Sequence, residues 1–244
     1  MGRIIAVTSG KGGTGKTTSV AAIGACLAAL GKKTLLLDCD VGLRNLDLAL
    51  GMGDFAVADF TDVAEKGAMI DDAARIHPGI PGLAFLAAPA YRAPSDIDVA
   101  EVGEMLKQAR ARFDFVLLDS PAGIGPGFEL AAREADMAII VSVCDLSSIR
   151  DAEKTAEALR ALDIEQLRLL INRVTARAVK ALPMSVDDII DAVGAQLIGV
   201  VRNDPKVPEA MSNDLPLVLF ETKGACEDYL DTARRILGED IPIY

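Results

Sequence analysis

Tryptophan is absent from this chain of 244 residues, histidine occurs once, and aromatic residues reach only 4%. Alanine and leucine must therefore carry the core, which a chain of this length can make substantial. Cysteine occurs four times, at Cys26, Cys39, Cys144 and Cys226, far apart and without C-x-x-C spacing. Buried free thiols in a reducing compartment are the expected reading, with a bridging metal or iron–sulfur site as the alternative. Basic residues are in deficit, 25 against 36 acidic, for a net charge of −11 and a pI near 4.6. That balance disfavours nonspecific binding to DNA or anionic lipid, although a local basic patch remains compatible with it. Charged, apolar and cleavage regions of a signal peptide are missing, and no apolar run approaches the ~18 residues that span a bilayer. The expectation is a soluble, cytoplasmic protein. No linker or low-complexity stretch divides the sequence, so residues 1–244 read as a single domain. The lone His77 precedes Pro78-Gly79 in a turn-like stretch with no second ligand type nearby, and no catalytic role is assigned to it.

What is present is a series of strand-length apolar runs: Ile4–Val7, Thr34–Leu37, Leu83–Leu86, Phe115–Leu118, Met137–Val143, Leu167–Ile171 and Leu197–Val200. Most are continuous rather than alternating, as strands covered on both faces of a parallel sheet are. Between them Val99–Arg112, Arg150–Leu162 and Val186–Val193 have amphipathic spacing. The fold class this predicts is α/β, doubly wound, with a mostly parallel sheet and helices on both faces. Ligands of such sheets sit beyond the carboxyl ends of the strands.

Immediately after the first run comes Gly10-Lys11-Gly12-Gly13-Thr14-Gly15-Lys16-Thr17-Thr18. Gly10, Gly15, Lys16 and Thr17 fill the pattern G-x-x-x-x-G-K-[ST], and a helix-like stretch, Ser19–Leu30, follows. Strand, glycine loop and helix are the context that a phosphate-binding P-loop needs. Its glycines let backbone N–H groups turn toward phosphate oxygens, where the positive end of the helix also points. Lys16 is then placed for the β- and γ-phosphates of ATP, and the Thr17 hydroxyl for Mg²⁺. Lys11 is surplus, because an ordinary loop of this kind needs no cation at its second position.

Three further strand ends bear chemistry. Leu37-Asp38-Cys39-Asp40 puts two carboxylates on one side of an extended chain, either a capping or solubilising pair or a switch holding Mg²⁺ and the attacking water. Phe115-Val116-Leu117-Leu118-Asp119 is a Walker B arrangement, whose acid reaches the Mg²⁺ shell from a neighbouring strand. Leu169-Leu170-Ile171-Asn172 ends in an amide that can meet a base edge or form a turn.

With these segments in view the chain resembles the deviant-Walker-A P-loop ATPases. The carrying stretches are Arg3 to Thr18, then Asp38 to Leu48 with Gly42-Leu43-Arg44-Asn45-Leu46-Asp47, then Asp119-Ser120-Pro121-Ala122-Gly123-Ile124. The Gly42–Asp47 segment points to the branch that places the cell-division septum. Softer likeness at Ser147–Asp151 and in the closing helix extends the match over nearly the whole chain. The resemblance implies an ATPase, slow until a partner stimulates it, that works as an ATP-dependent homodimer. In it Lys11 reaches the phosphates of the opposite subunit, in the manner of an arginine finger, and Gly12 permits the close approach. It implies catalytic roles for Lys11, Lys16 and Asp40, with Asp40 near the attacking water. Nucleotide contacts fall to Gly10, Lys11, Gly12, Gly13, Thr14, Gly15, Lys16, Thr17, Thr18, Gly123 and Asn172, the last at adenine. Thr17, Asp38 and Asp119 serve Mg²⁺, and Asp151 is the acid expected to hold Lys11 in the inactive state.

Implied partners are ATP or ADP, Mg²⁺, a division inhibitor and an ATPase-activating protein, while direct nucleic-acid binding is not expected. Val143-Cys144-Asp145 stands where the family tends to have a proline before an acid, and Arg202-Asn203-Asp204 replaces the family's proline-bearing segment near the base. Ile236 to Tyr244 stops where such proteins continue into a basic amphipathic membrane helix, so the expectation is either a truncated chain, whose further segment would attach it peripherally to the inner membrane face, or a relative that works without the anchor. Flagellar-number and chromosome-partition ATPases are alternatives within the same chemistry. An iron–sulfur reductase subunit resembling the nitrogenase iron protein and a non-hydrolysing nucleotide-binding scaffold lie outside it.

Overall fold

A computed structural model describes residues 2–42, 44–53 and 58–243; Leu43 and Tyr244, named in the sequence segments above, lie outside them. In chain order the first half comprises β1 (Arg3–Thr8), α1 (Lys16–Ala29), β2 (Thr34–Asp38), α2 (Leu46–Ala49), α3 (Phe60–Ala64), α4 (Ile70–Ala73), β3 (Arg75–Ile76), β4 (Leu83–Leu86), α5 (Val99–Arg112) and β5 (Phe115–Asp119). The second half comprises α6 (Pro126–Ala132), β6 (Met137–Val143), α7 (Leu146–Ala161), β7 (Leu167–Val174), α8 (Ala176–Ala181), α9 (Val186–Val193), β8 (Gln196–Arg202), α10 (Lys206–Ser212), α11 (Leu217–Phe220) and α12 (Ala225–Ile236). The strands form one eight-stranded sheet in the order β3-β4-β2-β5-β1-β6-β7-β8. All neighbours pair in parallel except β3, which is antiparallel to β4 at one edge.

Continuous apolar runs form these strands because both faces are covered, so side chains alternate between two cores rather than between core and water. Ile5 and Val7 of β1 face α1 and α12, together with Leu36, Leu117, Ile139 and Leu170 from the other strands. Ile4 points the opposite way, toward Leu35, Leu37, Val116, Leu118 and the apolar stripe of α5. Ala6 shares that second face with Ile140, Leu169, Ile171 and Ile149 of α7. After β1 the chain winds to one side through β2, and after β5 it crosses β1 to continue through β6. The carboxyl ends of β1, β2, β5 and β6 therefore open around one crevice, the position where doubly wound sheets bind ligands.

All seven apolar runs are strands, and the α/β expectation holds. The two-residue β3 is additional; a pair of residues carries no periodicity to detect, and Ile76 within it is 75% exposed. β7 extends past Asn172 to Val174 through an irregular register against β8, where Arg173 adopts φ 54°. α7 starts at Leu146 rather than Arg150, because Asp145 caps it by accepting from the Ser148 amide. His77 is buried: Gly79 N donates to its Nδ1 at 3.0 Å, which leaves Nε2 to donate to Leu50 O at 3.0 Å. Burial lowers its pKa, so it is a neutral structural residue. Cys26, Cys39 and Cys226 are buried, Cys144 is half-buried, and all four are free thiols.

α1 is buried around most of its circumference, which its small residues permit. At Gly24 a Cβ would stand 2.3 Å from Leu36 Cδ2, so the absent side chain sets how closely the helix approaches β2. Gly24→Val is expected to overpack this contact and destabilise the protein by about 1–3 kcal/mol, as measured by urea unfolding; an unchanged midpoint would show that the helix stands off by other means.

Candidate active site

The loop Gly10–Gly15 joins β1 to α1, and its glycines are there for different reasons. Gly13 and Gly15 adopt φ +81° and +93°, a left-handed conformation that side chains rarely take. Gly15 also has no room: a Cβ there would lie 2.3 Å from Asn172 Nδ2. Gly10 packs on Asp151, whose Cβ would be 2.5 Å from an added methyl. Gly12 has neither constraint, with nothing within 4 Å of an added Cβ. Gly15 is the N-cap of α1 and supplies no side-chain cap, so the first helical N–H groups remain available to an anion.

Around this loop the structure gathers the sequence-expected residues. Gly12, Gly13, Gly15, Lys16, Thr17, Thr18 and Asp40 line a cleft of about 540 Å³, together with Asn45, Pro121 and Ala122. Gly123, at φ +84°, donates its amide to Ser9 O at 2.9 Å and so ties the segment after β5 to the loop. A second cleft of about 400 Å³ adjoins it, lined by Gly15, Thr18, Asn172, Arg173, Asn203, Pro205, Pro208 and Tyr229. Together the two match the size of a nucleotide site, one end polar and glycine-lined, the other flanked by prolines and a tyrosine.

Sheet register brings the acids together. Asp38 and Asp119 are direct Cα partners on the parallel strands β2 and β5, and Val7 at the end of β1 is level with Asp119. Both carboxylates are 1% exposed. Burial pushes Asp119 up to about 7, with Lys16 and the Thr17 hydroxyl opposing that rise. Burial likewise raises Asp38 to about 6, although its oxygens accept from the amides of Asp40 at 2.9 Å and Leu46 at 3.3 Å. Asp40 is half-buried and also raised by burial, against the pull of Lys16. Among the described residues the buried Oδ1 atom of Asp119 has no hydrogen-bond partner, and neither has the Oγ1 of Thr14. An orphaned buried oxygen on a carboxylate that meets the Thr17 hydroxyl fits the shell of a hard divalent cation. Among the described residues no cluster of three or more His, Cys, Asp or Glu side chains encloses an ion.

Lys11 lies apart from the cleft lining. Its Nζ donates to both carboxylate oxygens of Asp145, at 3.1 and 3.0 Å, and to Ser147 Oγ at 2.9 Å. Burial works to raise Asp145, but bonds from the Ser148 amide, the Ser147 hydroxyl and Lys11 prevail and hold its pKa below the usual carboxylate range. The expectation that Asp151 holds Lys11 is thus corrected. Asp151 lies on the second turn of α7, packed beneath Gly10, whereas the N-cap Asp145 stands at the helix start where the lysine passes.

Four further residues were not singled out in the sequence. Pro205 follows Arg202-Asn203-Asp204 and, with Pro208, borders the second cleft, so proline is present one position beyond the segment thought to lack it. Arg173 lines both clefts. The positive φ of Arg173 leaves no sequence signal, whereas the prolines were visible as loop residues after an apolar run. Tyr229 stands in an ordinary amphipathic helix and is revealed only by packing.

Residues 5–217 match the family described as the CobQ/CobB/MinD/ParA nucleotide binding domain, and the chain belongs to that family. The septum site-determining protein MinD of Synechocystis sp. is 40% identical to it, over 99% of this chain and 92% of that relative. The MinC:MinD cell division protein complex of Aquifex aeolicus superposes with a TM-score of 0.91 at 38% identity, covering 99% of this chain and 98% of the other. The septum site-determining protein MinD of Pyrococcus horikoshii, solved in complex with Mg-ADP, gives 0.85 at 26% identity over 99% and 100%.

Since Asp38 and Asp119 keep protons in the folded, metal-free protein that the unfolded chain loses near pH 4, these groups reduce stability as pH rises through about 6 to 7. A cation replacing those protons reverses the trend. Mg²⁺ with ADP should therefore bind more tightly at pH 8 than at pH 5.5, with protons released near pH 6.5. Calorimetry in buffers of different ionisation enthalpy measures this, and no proton release would mean that the acids are already charged.

Proposed function

We propose that this chain is an Mg²⁺-dependent ATPase of the MinD kind, a single-domain switch that dimerises on ATP and takes part in placing the division septum. The observation that carries the reading is the position of Lys11. Its own cleft already has Lys16, free helix N–H groups, Thr17 and Asp40, yet this second lysine is held outside on Asp145 and Ser147. A cation kept beside a finished phosphate site suits delivery to a second copy. The open space around Gly12 supports the same reading, because no contact among the described residues of this subunit requires glycine there.

In the proposed cycle the loop N–H groups and Lys16 hold the phosphates, and Asp40 orients the attacking water. Thr17, with Asp38 and Asp119 behind it, would hold Mg²⁺, which neutralises charge on the phosphates when bound. Lys11 leaves Asp145 for the partner's phosphates, coupling dimerisation to hydrolysis; a cation supplied in this way contributes about 10³–10⁵ in rate in related enzymes. Asn172 and the proline-bordered cleft take the adenine. A MinC-like inhibitor is the proposed partner, by similarity to the Aquifex aeolicus complex, and a further protein is proposed to stimulate turnover. No described helix is long and apolar enough to cross a membrane. The identity of 40% to a septum-site protein favours this branch over the flagellar and partition alternatives.

Light scattering after size exclusion tests the switch. With ATP and Mg²⁺ the wild type should double its mass relative to ADP, and Asp40→Ala should remain dimeric while hydrolysing no ATP. Lys11→Ala should lose the ATP-dependent dimer or its hydrolysis, whereas full activity in this variant would remove the basis of the reading. The pair holding Lys11 is about a third to a half exposed, so it contributes no more than ~1 kcal/mol. Asp145→Asn keeps a capping side chain but weakens that pair, and should raise basal ATP turnover by roughly two- to fivefold. Slower turnover would argue that Asp145 assists hydrolysis rather than restraining it.

A further inference from the structure

Asn172 entered as a contact for the base, yet its amide is already engaged elsewhere. Its Nδ2 donates to Thr14 O at 2.8 Å, and its Oδ1 accepts from the Arg173 amide at 2.9 Å and from the Tyr229 hydroxyl at 3.5 Å. The side chain is 4% exposed and lies so close to the loop that only glycine fits at position 15. Tyr229, 1% exposed on α12, also meets Ser19 Oγ at 3.2 Å; since Ser19 gives its own proton to Gly15 O at 2.8 Å, the single Tyr229 proton is shared between Ser19 Oγ and Asn172 Oδ1, one at a time. Two consecutive loop carbonyls, Thr14 and Gly15, are thus each held by a member of one buried polar chain drawn from β7, α12 and α1.

A trans peptide is planar, with the C=O of one residue and the N–H of the next pointing in opposite directions. Drawing the Thr14 carbonyl toward Asn172 therefore aims the Gly15 N–H the other way, and holding the Gly15 carbonyl on Ser19 does the same for the Lys16 N–H. We propose that Asn172, supported by Tyr229 and Ser19, is a positioning residue for the phosphate loop: it presets the N–H groups that receive phosphate, whatever base occupies the neighbouring cleft. One amide then links both ends of the nucleotide site, because Asn172 lines the second cleft while holding the loop of the first. The same hydrogen bonds attach α12, at the end of the chain, to the phosphate loop. The inference rests on the nucleotide-site reading above and adds a role that contact with adenine does not require.

Base-free tripolyphosphate with Mg²⁺ separates the two roles, because it has phosphates and nothing for an adenine contact to hold. Calorimetric titration of the full chain should show tripolyphosphate binding weakened about three- to tenfold by Asn172→Ala, the range expected for one lost hydrogen bond. Tyr229→Phe, which keeps the ring and its packing, should weaken it about two- to threefold, with ADP weakened in parallel and the melting temperature nearly unchanged. If both variants bind tripolyphosphate as the wild type does and only ADP is weakened, Asn172 is a base contact alone and the inference is overturned while the ATP-site reading stands. If the wild type binds neither tripolyphosphate nor ADP, both fall. Should Asn172→Ala fail to fold, Tyr229→Phe decides, and unchanged tripolyphosphate affinity in that variant overturns the proposal.

Discussion

The site depends on a constraint of the peptide unit. A loop that turns its N–H groups toward phosphate turns the attached carbonyls away, and buried carbonyls need partners of their own. In this protein Thr14 and Gly15 find them in Asn172, Ser19 and the first turn of α1. A glycine loop by itself is too free to hold that arrangement, because glycine loses more conformational entropy on ordering than any other residue. The rigid groups behind the loop supply the order, and they come from strands and helices far away in sequence.

The acids follow from the same sheet. Parallel pairing levels the ends of β2 and β5, so Asp38 and Asp119 are neighbours without any local sequence relation. Both lie in a low-dielectric interior, where their charged forms are disfavoured; Asp38 further raises Asp119, while Asp40 and Asp47 further raise Asp38. Such groups are destabilising in isolation and become useful when a cation shares the site. Lys16, 9% exposed, supplies part of that compensation within the chain. A stability curve lowered by the buried carboxylates of the candidate site is the signature expected if that site is arranged around a metal–phosphate ligand.

Lys11 illustrates how weak contacts suit a switch. A fully buried ion pair would cost several kcal/mol to break. Its pairing with Asp145 is partly solvated and screened, so an alternative partner bearing phosphate charge can displace it. Asp145 and Ser147 belong to the N-terminus of α7, which begins where β6 leaves the sheet beside β1. In the proposed dimer, release of the lysine would free that helix terminus as well, which connects the catalytic contact to a surface a partner can read.

The sequence by itself determined the strands, because continuous apolar runs are what two-sided burial demands, and it determined the glycine loop between β1 and α1, because glycine spacing is a local property. Asp119 and the Asp38–Asp40 pair were legible for the same reason, each standing at the end of an apolar run. The irregular end of β7 and the two-residue β3 were not, since neither depends on a periodic pattern. The partner of Lys11 could not be read either: Asp145 and Asp151 are acids on the same short segment, and only the helix start at Leu146 decides which faces the lysine. Tertiary structure alone placed Tyr229 against Ser19 and Asn172, bringing residues 210 and 57 positions away into one buried polar cluster. Local chemistry in the sequence states which groups can bind phosphate; long-range packing decides which carbonyl, acid or helix end each of them meets.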